Sequence, residues 1–231
     1  SCGAREWRFM GAGSERLAEQ IGATWPRARV ARMDPDVLEE RGPEPHNADA
    51  DIYVTTWVGT KPALRPEVAL VGVLDADALI RRPDFRAAER GFQALAEMSE
   101  WAGPASDGGR LIIQTAEPRH HAVQAIVRAD YRFFLEREVE LRKELGYPPF
   151  SELIKTTVSG GDARAAIERM ARVCRDEGAR VLGPIAVRAQ DVASFQILCK
   201  CSDAGSVARA LRPLVAALPA TLRVAVDVDP R

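Results

Sequence analysis

The seven residues Val68-Ala-Leu-Val-Gly-Val-Leu74 carry no polar side chain. A strand that is apolar on both faces belongs in the middle of a sheet covered on both sides, the habit of parallel sheets joined by crossover helices. The surroundings agree. Short apolar runs at 7–10, 29–33, 51–56 and 111–115 alternate with amphipathic stretches, which predicts further strands of an α/β unit. Gly11-Ala12-Gly13-Ser14-Glu15-Arg16 is a glycine turn, with Ser14 placed to N-cap a helix reaching about residue 21. Phe85, Ala88, Phe92 and Leu95 share one helical face, with Asp84 near the start of that helix.

A second pattern begins after 130. Residues 131–145 predict a charged amphipathic helix that buries Phe134, Leu135, Val139, Leu141 and Leu145 and stops at Gly146 and Pro148-Pro149. Beyond it the order is strand (153–158), helix (162–177), strand (181–188), strand (194–201), helix (203–218), strand (223–228). This βαββαβ order is the split-βαβ, ferredoxin-like arrangement, a four-stranded sheet with two helices on one face. Ala166, Ile167, Met170, Val173 and Cys174 form the core stripe of the first helix, and Val207, Leu211, Leu214 and Leu218 that of the second. Pro213 is expected to kink the second helix or to shift its start. A chain of 231 residues has room for two such domains.

Bulk properties narrow the setting. The formal net charge is −1 and no polybasic tract stands out, so charge alone makes no case for nucleic acid. Four cysteines without a CxxC pair read as reduced thiols of a cytoplasmic protein. No apolar run reaches the roughly 20 residues of a membrane span, and no basic-then-apolar leader opens the chain. Ser1 in place of methionine reads as the start of a fragment.

Taken one by one, the motifs have bland readings. Gly11 and Gly13 could bring backbone amides to a phosphate at a helix N-terminus. Without a third glycine or a following Gly-Lys-Ser/Thr, an ordinary strand-to-helix turn competes with that. His120 and His121 lack a carboxylate or cysteine cluster and read as capping or surface residues. Cys199 and Cys201 share a strand face and suit a core better than a chelate. Asp227 and Asp229 suit an exposed strand face better than an acid–base pair.

Their joint order is more specific. Val71-Gly-Val-Leu-Asp75-Ala-Asp77 followed by Pro83-Asp84-Phe85-Arg86-Ala87-Ala88-Glu89-Arg90-Gly91-Phe92-Gln93 resembles the stretch between motifs V and VI of the primosomal protein N′ (PriA) helicase family. Gly11-Ala12-Gly13-Ser14-Glu15-Arg16 resembles that family's Gly-x-Gly-Thr-Glu opening of the second helicase lobe. Gly146-Tyr147-Pro148-Pro149-Phe150 resembles its interdomain signature, and Asp227-Val228-Asp229-Pro230 its near-terminal Asp-Val-Asp-Pro. The resemblance implies a RecA-like second lobe at 11–130, a linker at 131–150, and a DNA-binding domain like a small ribosomal protein (S10-like) at 151–231. It implies replication restart on forked or single-stranded DNA, with single-stranded-DNA-binding protein and other primosome proteins as partners. Residues 1–10 resemble the end of the family's zinc-binding insert, which makes Cys2 a last zinc ligand whose partners lie upstream, or else a cysteine with no ligand role. The full-length protein would hold zinc; this chain would not.

The departures bear on activity. Thr55-Thr56-Trp57-Val58-Gly59-Thr60-Lys61 stands where motif V of active relatives resembles Gly-Thr-Gln-Met-x-x-Lys, so Thr56 and Lys61 join Gly11 and Gly13 as a nucleotide-site remnant. Motif VI of active relatives resembles Gln-Val-x-Gly-Arg-x-Gly-Arg, and here Trp101 and Pro104 replace both arginines, with Glu97 and Glu100 beside them. An arginine finger is typically worth about 10³–10⁵ in rate, so a working ATPase is not expected and no catalytic residue is assigned. In the last domain Phe195 could stack a base or lie in the core, and Arg188 and Lys200 could meet phosphate. The leading expectation is a DNA-binding primosome scaffold without ATP-driven unwinding. The rivals are an active 3′–5′ helicase and a nucleotide-binding regulator.

Overall fold

The computed structural model describes residues 13–34, 50–56, 67–189 and 192–230. The chain divides into two compact units, Ser1–Leu135 and Glu136–Arg231.

The first unit is α/β. Helix α1 (Ser14–Thr24) leads into β1 (Val30–Met33), which pairs in parallel with β2 (Ile52–Thr55). Strand β3 (Leu70–Val73) pairs in parallel with β4 (Arg110–Ile113). Helices α2 (Asp77–Ile80) and α3 (Ala87–Trp101) make the crossover that two parallel neighbours require. Helix α4 (His121–Arg128) and the start of α5 (Tyr131–Leu145) follow. Ala87, Gly91, Phe92 and Leu95 are the buried side of α3. Glycine is needed at 91, because a Cβ there would lie 2.5 Å from Ile80 Cγ2 and 3.3 Å from Ile80 Cα. Phe92 stacks on Phe134 with ring centroids 4.2 Å apart, and His121 stacks on the same Phe134 at 5.4 Å.

Three expectations change here. The run at 68–74 forms a shorter strand that pairs, among the described residues, with β4 alone. Val73 enters a core with Ala76 and Leu95, while Leu70 and Leu74 stay 56% and 53% exposed. Ser14 does not cap α1: Gly13 is the N-cap, and the Ser14 hydroxyl turns instead to Asp34. On α5 the buried residues are Phe134 and Glu138, whereas Leu135, Val139 and Leu145 are exposed. Arg142 donates to Glu138 at 2.8 Å, so an ion pair occupies a place that the periodicity gave to an apolar stripe. The predicted strand at 7–10 lies outside the described residues.

The second unit is α+β, with β5 (Glu152–Ser159), α6 (Ala163–Asp176), β6 (Arg180–Ala189), β7 (Val192–Cys201), α7 (Ala204–Ala216) and β8 (Arg223–Val228). The sheet order is β6-β7-β5-β8, antiparallel throughout, so each helix bridges two strands separated by a third, as the βαββαβ reading requires. The core joins Ala166, Ile167, Met170 and Cys174 of α6 and Val207 and Leu211 of α7 to Ile154, Val158, Ile197 and Cys199 of the sheet. Asp203 caps α7 by accepting from the Ser206 amide at 3.0 Å, and the helix runs through Pro213.

Candidate nucleotide and nucleic-acid sites

In parallel α/β sheets, ligands are met at the carboxyl ends of strands, where helix N-termini gather. At that end of β1 and β2 lie Met33, Asp34, Thr55 and Thr56, with Gly13 and Ser14 opening α1. Asp34 is 2% exposed. Its carboxylate accepts from the Ser14 hydroxyl at 2.6 Å and from Arg32 Nε and Nη2 at 2.9 and 2.8 Å. The Arg32 guanidinium and the Ser14 hydroxyl thereby help to balance a buried anion. This triad was missed from sequence, although a serine after a glycine turn and Arg32-Met33-Asp34 at a strand end were its signals.

Gly13 and Thr56, which the resemblance assigns to a nucleotide-site remnant, both lie among the described residues. Gly13 has φ −54°, which any residue adopts, and a Cβ there would meet nothing within 4 Å among the described residues. The Thr56 hydroxyl, one residue past β2, is buried and has no hydrogen-bond partner among the described residues. The neighbouring Thr55 hydroxyl donates to the Met33 carbonyl at 2.7 Å. Gly11 and Lys61 lie outside the described residues, as does Cys2. Among the described residues no group of three His, Cys, Asp or Glu could hold a metal.

The residues that the resemblance sets against motif VI lie at the end of α3. Trp101 ends α3 at 8% exposure, and Ala102 beside it is 5% exposed. The chain then folds back on itself: the Pro104 carbonyl accepts from the Asp107 and Gly109 amides at 3.0 and 3.2 Å, delivering the backbone to β4. Pro104, Glu97 and Glu100 are exposed.

Asp75 and Asp77 hold loops. Asp77 accepts from the Thr115 hydroxyl and the Ala116 amide, each at 2.8 Å, and these bonds, the Ala116 one first, lower its carboxyl from the ordinary aspartate range. Asp75 accepts from the Ala78 amide at 3.1 Å. Arg81 is ion-paired with Glu117. His120 Nδ1 accepts from the Ala122 amide at the start of α4, the capping role expected of it.

In the second unit, Phe195 packs against the core, on the helix-covered face of β7 with Ile197, Cys199 and Cys201. Phe195 is partly buried there, which accords with the core reading of this residue. Lys200 points the other way but is only 9% exposed. Its ammonium donates to the Leu145 carbonyl at 2.8 Å and lies 3.3 Å from the Tyr147 ring centroid. A phosphate contact would require it to leave both. Arg188 pairs by its backbone with Ala193 near the hairpin end, and its side chain, like residues 190–191, lies outside the described part. Asp227 is ion-paired with Lys155 across β5 and β8 at 3.3 Å, in keeping with an exposed strand face.

No helix among the described residues is long and apolar enough to cross a membrane. The family description "primosomal protein N C-terminal domain" matches residues 143–231. Replication restart protein PriA of Bacillus subtilis (strain 168) is 34% identical over 229 residues, which cover 93% of this chain and 28% of that protein. The same-named protein of Treponema pallidum (strain Nichols) is 34% identical over 245 residues, 99% of this chain and 37% of that one. That of Synechocystis is 31% identical over 246 residues, 99% and 29%. This chain spans well under two thirds of the length of these relatives. The likeness runs through both units, and the domain match takes in the Tyr147 turn together with the whole of the four-stranded sheet: the chain belongs to the family of replication restart protein PriA.

Proposed function

We propose that this chain serves replication restart as a DNA-binding scaffold whose first unit is a RecA-like second helicase lobe that no longer turns over ATP. The observation that carries the reading is the burial of Trp101 where the resemblance puts a motif VI arginine. Phosphoryl transfer needs a cation against the γ-phosphate, and an indole inside the unit supplies none. Glu97 and Glu100, both exposed, add the wrong sign. The residues present therefore do not fit ATP hydrolysis.

DNA contact rests on the family's role and on the β6–β7 hairpin, where Arg188 is the phosphate candidate. Zinc would be held through Cys2 with ligands outside this chain. Single-stranded-DNA-binding protein and other primosome proteins are the partners that the resemblance supplies. The rival reading, an active 3′–5′ helicase, has in its favour the buried Thr56 hydroxyl, a motif V residue with no partner among the described residues. Anisotropy titrations of forked and single-stranded DNA against salt, run beside phosphate release, separate the two. The scaffold reading expects salt-sensitive binding without DNA-stimulated turnover; turnover that rises with DNA would reject it.

A further inference from the structure

We infer that Lys200 is an interior clamp that fastens the end of helix α5 to the second unit's sheet. In register, Lys200 of β7 lies between Arg180 of β6 and Leu153 of β5, and Leu153 is itself 1% exposed. Burial, and then the charge of Arg180, pulls the ammonium below the usual lysine range. Among the described residues no carboxylate pairs with Lys200. Its charge is met instead by the last carbonyl of α5, at 2.8 Å, and by the face of Tyr147, at 3.3 Å. A helix C-terminus carries about half a negative charge and an aromatic face is negative, so the two together take the place of a carboxylate.

Both partners belong to one local turn. Gly146, with φ 63°, donates to the Lys143 carbonyl and Tyr147 to the Arg142 carbonyl at 2.8 Å, a 5→2 and a 6→1 bond in that order, which end the helix and leave the Leu145 carbonyl for the lysine. The Ser151 hydroxyl closes the turn by donating to the Gly146 carbonyl at 2.9 Å. If the turn lifts, the ammonium loses the carbonyl and the ring together. The clamp thus makes the last turns of α5 part of the second unit, although the same helix gives Phe134 to the core of the first.

The test is amide hydrogen exchange and proton–carbon NMR on the 231-residue chain. Lys200→Met should speed exchange of the Tyr147 amide roughly ten- to hundredfold, the factor that losing a hydrogen bond to a charged group is worth, with α6 amides such as Cys174 unchanged. Tyr147→Leu leaves β7 intact, guards against failure of the first variant to fold, and should loosen the same turn. It should also remove the upfield ring-current shift of the Lys200 ε-methylene protons. Unchanged exchange at 143–150 in both variants, exchange that rises equally throughout the unit, or unshifted ε-protons in the parent chain would overturn the inference.

Discussion

At the scale of single residues, the structure separates groups that stabilise from groups that are tolerated. Thr156 is fully buried in the second core and its hydroxyl has no hydrogen-bond partner. Thr156→Val exchanges an unsatisfied donor for a methyl of like shape and should stabilise the chain by about 1 kcal/mol, read as a higher denaturant midpoint with an unchanged m value. Arg29 and Asp51 give a second residue-scale test. The guanidinium and backbone amide of Arg29 both donate to Asp51, which lowers its carboxyl from 3.8 to about 2. Because the folded value lies below the unfolded one, whatever this clasp contributes is complete above about pH 4 and fades as pH falls toward 2. Carboxyl NMR should place the Asp51 midpoint near 2, and Arg29→Met should move it back toward the ordinary aspartate value. A midpoint near 4 in the parent chain would show that the clasp does not persist in solution.

Elements show why some of this architecture could be read from the sequence and some could not. The second unit was legible nearly to the residue, because its strands alternate cleanly, its helices carry unbroken apolar stripes, and Asp203 and Gly146 punctuate their ends in the usual way. Helix α5 was found with its bounds but with the wrong inner face, since periodicity counts leucines and cannot see that Glu138 and Arg142 neutralise one another. Helices α2 and α4, of four and eight residues, were too short to give a period. Among candidate site residues, Phe195 and Lys200 were chosen for their chemical type, whereas strand parity and the Tyr147 turn decide their surroundings. The resemblance marks Trp101 as standing where relatives carry a charge and gives no sign that it lies in the core. Its burial predicts that Trp101→Arg lowers the stability of the first unit by about 3 kcal/mol or more, the cost of an unpaired buried charge, while Pro104→Arg at an exposed turn costs little. Thermal unfolding of the two variants checks the contrast, and equal stability would place the indole outside the core. Likewise a fragment of residues 136–231 should fold and outlast one of 150–231 by about 2 kcal/mol, since the shorter piece strands the Lys200 ammonium. Equal denaturation midpoints would contradict this.

The chain joins a parallel α/β unit, in which Trp101 is buried, to an antiparallel α+β unit of the primosomal C-terminal type. With charge nearly balanced overall and few basic groups at the β6–β7 hairpin, DNA affinity should be modest and should fall with salt, by about one unit of slope per phosphate contact. A slope near zero would point to a stacking surface elsewhere. Restoring Trp101→Arg and Pro104→Arg together should not restore turnover, because the first change buries its charge and the motif V segment departs as well. The most direct measurement is phosphate release by the protein at its full natural length, with forked DNA, saturating ATP, and an active relative as positive control. The account predicts no DNA-stimulated release above background. DNA-dependent turnover of even about one per second, an ordinary enzymatic rate, would contradict it and restore the helicase reading.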